Sequence, residues 1–98
     1  MAKAKILVID DERIVIDSIT KILKEEHIEV EATLSGRQGV EMALQKAYDL
    51  VLTDLRMPDI GGMRVLRDIK RARPGVPVVM ITGYASVPSA VQAIKLGA

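Results

Sequence analysis

Short apolar runs alternate with segments of helical period four times along the chain, at intervals of about 25 residues. Ile6-Leu7-Val8-Ile9, Leu50-Val51-Leu52-Thr53 and Val78-Val79-Met80-Ile81 are near-continuous and rich in β-branched residues, as strands buried on both faces require. Ile28 to Thr33 alternates apolar and polar positions instead, which suits a half-buried strand near a sheet edge. After the first run the spacing changes: from Glu12 onward Val15, Ile16, Ile19, Ile22 and Leu23 share one helical face. Ser35-Gly36-Arg37-Gln38 fits a capping box and opens a second helix with Val40, Ala43, Leu44 and Ala47 inward. Gly61-Gly62 breaks the chain before a third helix with Met63, Leu66 and Ile69 inward, and Arg73-Pro74-Gly75 terminates it. Ser86 caps a fourth helix carrying Val87, Ala90, Val91 and Ile94 inward. Strands alternating with helices imply right-handed crossovers and a parallel sheet covered on both faces. The expected class is α/β with a doubly wound parallel sheet, (βα)₄, as one domain over residues 1–98. The repetition is architectural; the four units share no sequence motif.

Composition narrows the partners little. Fourteen basic and thirteen acidic residues give a net charge of +1, with no basic block of the kind that marks a nucleic-acid surface, so no direct nucleic-acid contact is expected. With no cysteine, disulfides and thiolate metal sites are excluded. No apolar run approaches the roughly 20 residues of a membrane span. The short apolar run after Lys5 is not a secretory leader, and a cytoplasmic location is the expectation. Aromatic residues make up 2% of the chain, so the core has to be built from Ile, Val, Leu, Met and Ala.

In open parallel sheets ligands bind beyond the carboxyl ends of the strands, at the switch point in strand order. That rim would collect Asp10 and Asp11 after the first strand, Asp54 after the third and Thr82 after the fourth. Three carboxylates so close repel one another unless a cation is present. Mg²⁺ suits one or two carboxylates, several waters and phosphate oxygens, so the site anticipates a phosphoryl group as the remaining ligand. A carboxylate can itself attack phosphorus and form an aspartyl phosphate. Each residue also has a plainer reading. Asp10 and Asp11 could cap the first helix, Asp54 could be a turn residue before Pro58, and Thr82 could merely end a strand. Tyr84 is either a gate to the site or an exposed loop residue, and the five methionines are core filler. His27 lies in a solvated helix end with no catalytic part.

Asp10-Asp11-Glu12, Asp54-Leu55-Arg56-Met57-Pro58, Gly61-Gly62, Thr82-Gly83-Tyr84-Ala85 and Gly97-Ala98 resemble, in order and at matching intervals, the motif set of response-regulator receiver domains. The resemblance covers the whole chain. It implies a flavodoxin-like receiver fold with strand order 2-1-3-4. It implies that Asp54 accepts a phosphoryl group from the phosphohistidine of a sensor histidine kinase. Asp11 and Asp54 would bind Mg²⁺ directly, Asp10 mostly through a coordinated water, and the backbone carbonyl of Arg56 would complete the protein ligands. Thr82 would donate its hydroxyl to a phosphoryl oxygen and couple the site to the fourth helix. Met57-Pro58 would shape the loop below the site. The stretch from Thr82 to Ala98 is most similar to receivers of the nitrogen-regulatory, enhancer-binding activator type. The implied role is a phosphorylatable switch in bacterial two-component signalling and transcription regulation. It is not a turnover enzyme, though it assists its own phosphoryl transfer and dephosphorylation.

The family fold has five βα units, and this sequence stops after four. The family's site lysine, switch aromatic and fifth helix would follow Ala98. Lys95 falls in the predicted fourth helix and does not substitute by position. The expectation is a receiver truncated at its C-terminus, separated from its output domain and unusually dependent on Mg²⁺. Strand four would then be an unpaired apolar edge, open to a homodimer or a domain swap. Two other classes stay open: a non-phosphorylated interaction module that keeps only the fold, and a metal-dependent phosphatase. The phosphatase class usually needs a second carboxylate two residues after the nucleophile, where this chain has Arg56.

Overall fold

The computed structural model describes residues 4–81. In chain order these form β1 (Lys5–Ile9), α1 (Arg13–Glu25), β2 (Glu29–Thr33), α2 (Gly36–Gln45), β3 (Leu50–Thr53), α3 (Gly62–Ala72) and β4 (Val78–Met80). The four strands make one parallel sheet in the order β2-β1-β3-β4. This is the expected doubly wound order, with β2 at one edge and β4 outermost among the described residues. Thr82, Tyr84, the predicted fourth helix, Lys95 and Gly97-Ala98 lie outside the described residues.

Burial follows the two-residue period of the strands. On one face Leu7 and Ile9 pair in register with Val51 and Thr53, and with Val78 they meet Ala43 of α2 and Val65, Leu66 and Ile69 of α3. On the other face Ile6 and Val8 are equally buried, so β1 is sealed on both sides. These side chains form the core, and fully burying each stabilises the fold by about 1.5–3 kcal/mol.

Two helical faces differ from their sequence pattern. In α1 Ile22 is 60% exposed and Thr20 is half-buried, so the helix is rolled away from Ile22; no residue of α1 is fully buried among the described residues. In α2 Leu44 is 46% exposed and Ala47 lies beyond the helix end, while Gly36, Gly39 and Ala43 are the buried positions. The reason is steric. A Cβ at Gly39 would collide with the side chain of Ile9, so the glycine stripe lets α2 lie directly on β1 and turns Leu44 outward. Apolar periodicity does not count glycine as a core residue, and it placed the face too far round.

The helix ends are satisfied mostly from outside the helices. Ser35 caps α2, accepting from the Gln38 N–H at 3.2 Å. The other half of the capping box runs through a relay, since the Gln38 side chain accepts from the Thr33 hydroxyl at 2.7 Å, and Thr33 Oγ1 accepts from the Ser35 N–H at 3.2 Å. The α2 segment has no acidic residue in its first turn and no basic residue in its last. Both charges come from the flanks of α3. The Asp59 carboxylate accepts from the Gly36 and Arg37 N–H groups, and the Arg73 guanidinium donates to the carbonyls of Ala43 and Leu44. These are the signs that a helix dipole favours at each end. Helix α1 ends in a Schellman motif: the His27 N–H reaches Lys24 O at 3.0 Å and the Ile28 N–H reaches Leu23 O at 3.0 Å. His27 occupies the left-handed position of that motif at φ 60.

Beside the β2 edge, Glu31 gathers three partners. The Tyr48 hydroxyl donates to it at 2.6 Å, Lys46 Nζ lies at 3.1 Å and Lys5 Nζ at 3.7 Å. Burial, then the neighbouring carboxylate, pushes the Tyr48 phenol well above its ordinary range.

Two outcomes follow from these ends. His27→Gly relieves a left-handed backbone that costs an L-residue about 1 kcal/mol, and it is expected to raise the urea midpoint without changing the slope. The Asp59 carboxyl is held below its ordinary value, first by the Arg37 amide and then by the Ser35 hydroxyl; that of Glu31 is lowered first by the Tyr48 hydroxyl, then by Lys46. A depressed carboxyl contributes stability above its unfolded-state pKa and loses it as pH falls through the folded value. Stability is therefore expected to drop below about pH 4, with a shallower acid limb in Asp59→Asn, as read by denaturant unfolding over a pH series.

Candidate functional site

The register of the sheet builds the site. Ile9 pairs with Thr53, so the next residues, Asp10 and Asp54, emerge side by side at the carboxyl ends of β1 and β3. Both continue the ladder: the Asp54 N–H bonds Ile9 O at 2.9 Å and the Asp10 N–H bonds Thr33 O at 3.2 Å. In the order 2-1-3-4 the gap between β1 and β3 is the switch point. Asp11 adds a third carboxylate from the turn into α1. One oxygen from each of Asp10, Asp11 and Asp54 lies within 4.8 Å of the other two. Asp10 and Asp54 are buried, at 3% and 7% exposure, and Asp11 is exposed.

The helix-cap alternative for Asp10 and Asp11 does not hold. The N-cap of α1 is Glu12, which makes no side-chain cap bond. Asp10 Oδ1 accepts from the Glu12 N–H at 2.9 Å, a two-residue turn bond. Asp54 Oδ1 accepts from the Leu55 N–H at 2.7 Å. Burial pushes the Asp10 carboxyl up; the Glu12 amide opposes this, and the charges of Asp54, Asp11 and Glu12 add to it. Ionising Asp10 therefore works against the fold as the domain stands.

Gly62 fixes the approach of α3 to the site. Its N–H bonds Leu55 O at 2.8 Å, and a Cβ there would collide with the backbone oxygen of Asp54. Glycine is needed here because the first turn of α3 lies against the Asp54 peptide itself. Asp59 was missed by sequence reasoning. Its partners are more than twenty positions away, and only its place before a helix could have flagged it.

The donor set fits a hard divalent cation. All three groups are carboxylates, the oxygen donors such an ion takes, and one oxygen from each lies within 4.8 Å of the other two. Among the described residues no helix is long and apolar enough to cross a membrane.

A 2-1-3-4 parallel sheet with carboxylates gathered at its switch point is an α/β domain of the flavodoxin-like kind. The chain belongs to the response regulator receiver domain family, whose model matches residues 6–98. It is 39% identical over 93 residues to the transcriptional regulatory protein ZraR of Escherichia coli O157:H7, covering 95% of this chain and 21% of that protein. The chain thus spans about a fifth of the length of that relative. A CheY-like receiver domain from Methanospirillum hungatei JF-1 superposes with a TM-score of 0.96 at 33% identity, over 99% of this chain and 78% of that one. The beryllofluoride-activated NtrC4 receiver domain dimer matches with a TM-score of 0.89 at 34% identity, over 96% of this chain and 78% of that one. A response regulator from Burkholderia pseudomallei, with a phosphorylated aspartic acid, calcium ion and citrate, matches with a TM-score of 0.91 at 25% identity, over 98% of this chain and 56% of that one. These relatives agree with the enhancer-binding activator type, and the chain is a signalling module of two-component systems.

Two measurements test the electrostatics. Mg²⁺ at about 100-fold excess over its Kd should stabilise the domain by roughly 2.7 kcal/mol, a rise in Tm of about 10 °C or more. Asp10→Asn should raise Tm in metal-free buffer and blunt that Mg²⁺-dependent rise. Thermal unfolding followed by circular dichroism with and without Mg²⁺ reads both.

Proposed function

We propose that Asp54 is the phosphoacceptor of this receiver domain, served by Asp10, Asp11 and the Arg56 carbonyl. The observation that carries the reading is the meeting of the three carboxylates at the ends of adjacent strands, with the Asp54 side chain oriented by the Leu55 amide. One Asp54 oxygen attacks the phosphorus of a phosphohistidine on a sensor histidine kinase. The phosphorus–nitrogen bond breaks, the imidazole keeps the electron pair and takes up a proton, and an aspartyl phosphate remains. Asp11, Asp54 and the Arg56 carbonyl would hold Mg²⁺, with Asp10 acting through a coordinated water. When bound, the ion neutralises charge on the transferring group.

Thr82 lies two positions after the end of β4 in the sequence. In this reading its hydroxyl donates to a phosphoryl oxygen, and the added charge biases the predicted fourth helix between two arrangements. The domain works in the cytoplasm as a switch for an output domain of the parent protein. Its readout is association of copies, a role supported by the dimer of the beryllofluoride-activated NtrC4 receiver. Incubation with a small phosphodonor and Mg²⁺, followed by intact mass, tests the reading. One phosphoryl adduct that disappears in Asp54→Asn is the expected result. No adduct at any Mg²⁺ concentration points to an interaction module, and steady release of phosphate without an adduct points to a phosphatase.

A further inference from the structure

The loop from Leu55 to Gly61 carries the Arg56 carbonyl, and it is fastened at two places. Its near end is held by the Leu55 N–H on Asp54 Oδ1 and by the Gly62 N–H on Leu55 O. Its far end is held by Asp59, whose carboxylate takes three bonds from the start of α2: the Ser35 hydroxyl at 2.7 Å, the Gly36 N–H at 3.1 Å and the Arg37 N–H at 3.0 Å. Ile60 is buried beside this anchor and leaves no room for a Cβ at Gly36. From Ser35 the chain of bonds continues to Thr33, whose carbonyl accepts from the Asp10 N–H. A hydrogen-bonded path therefore runs from the loop after Asp54, through the N-terminus of α2, to the backbone of Asp10.

A plain helix cap would not require this. Ser35 already caps α2 through the Gln38 N–H, and the Arg37 amide, unlike that of buried Gly36, stands at an exposed position that water could serve. What Asp59 adds is a fixed distance between α2 and the residue pair Arg56-Met57, three and two positions before it. We propose that Asp59 is a positioning residue for cation binding: by tying the loop to the N-terminus of α2 it holds the Arg56 carbonyl in place beside the carboxylates. This rests on the reading of Asp10, Asp11 and Asp54 as the cation site.

Groups that orient metal ligands without touching the metal typically change affinity 10–100-fold when removed. The 98-residue chain and its variants are titrated with Mg²⁺ by isothermal calorimetry, at a temperature where circular dichroism shows each to be folded. Asp59→Ala is expected to weaken Mg²⁺ binding about tenfold. Asp59→Asn keeps one acceptor oxygen and should fall between Asp59→Ala and the wild type. Arg73→Ala is the control. It removes the bonds to Ala43 O and Leu44 O at the other end of α2 and should lower the unfolding midpoint while leaving Mg²⁺ affinity unchanged. Wild-type affinity in Asp59→Ala, or an equal loss in Arg73→Ala, would overturn the proposal while sparing the cation site. If Asp59→Ala does not fold, Asp59→Asn decides: wild-type affinity in it is equally fatal. Failure of the wild-type chain to bind Mg²⁺ would overturn the cation site and this proposal together.

Discussion

The pairing of Ile9 with Thr53 is the contact on which the rest of the molecule turns. Adjacent parallel strands run about 4.8 Å apart, so a register that aligns the last residues of β1 and β3 must place the following aspartates within reach of each other. A slip of one residue would send Asp54 to the opposite face and dismantle both core layers. The repulsion this creates is contained by the environment and not avoided. Asp10 and Asp54 each surrender one oxygen to a backbone amide, and Gly62 lets α3 press its first turn against the Asp54 peptide. The apolar burial of Leu7, Ile9, Val51 and Val78 beneath them is what makes the crowded rim tolerable.

Helix α2 illustrates a division of labour between neighbouring elements. A ten-residue helix with two glycines has weak propensity of its own, and it lacks an acidic residue in its first turn and a basic one in its last. Its ends are completed by Asp59 and Arg73, which bracket α3 in sequence. Because α2 and α3 are successive crossovers, they run in the same direction, and the residues before and after α3 fall beside the start and finish of α2. The acidic flank meets the positive end of the dipole and the basic flank meets the negative end. The two helices are thus joined as one layer by side chains that belong to neither.

Much of this was legible along the chain, and the gaps have physical causes. The Leu50–Thr53 strand is found at its expected bounds, because a buried parallel strand closed by Asp54 leaves little freedom. The convergence of Asp10, Asp11 and Asp54 was legible for the same reason: strand ends in a doubly wound sheet meet at a predictable place. Leu44 and Ile22 were assigned inward because apolar counting cannot weigh a glycine stripe or the roll of a helix. Asp59 and Arg73 were invisible as caps, since their partners lie 22–30 positions away and no local pattern signals them. The left-handed conformation of His27 was hidden too, because that position in a Schellman motif usually announces itself with glycine.

The cluster around Glu31 has a consequence for how the molecule keeps to itself. Among the described residues strand β2 is an edge of the sheet, and such edges offer unpaired amides and carbonyls to other chains. Here the edge carries Glu29 and Glu31, with the second carboxylate lashed to Tyr48 and Lys46. A second β2 laid alongside in parallel register would bring carboxylates against carboxylates. The edge is thereby made a poor template for strand addition, so contacts between copies of the domain are directed to other faces of the molecule.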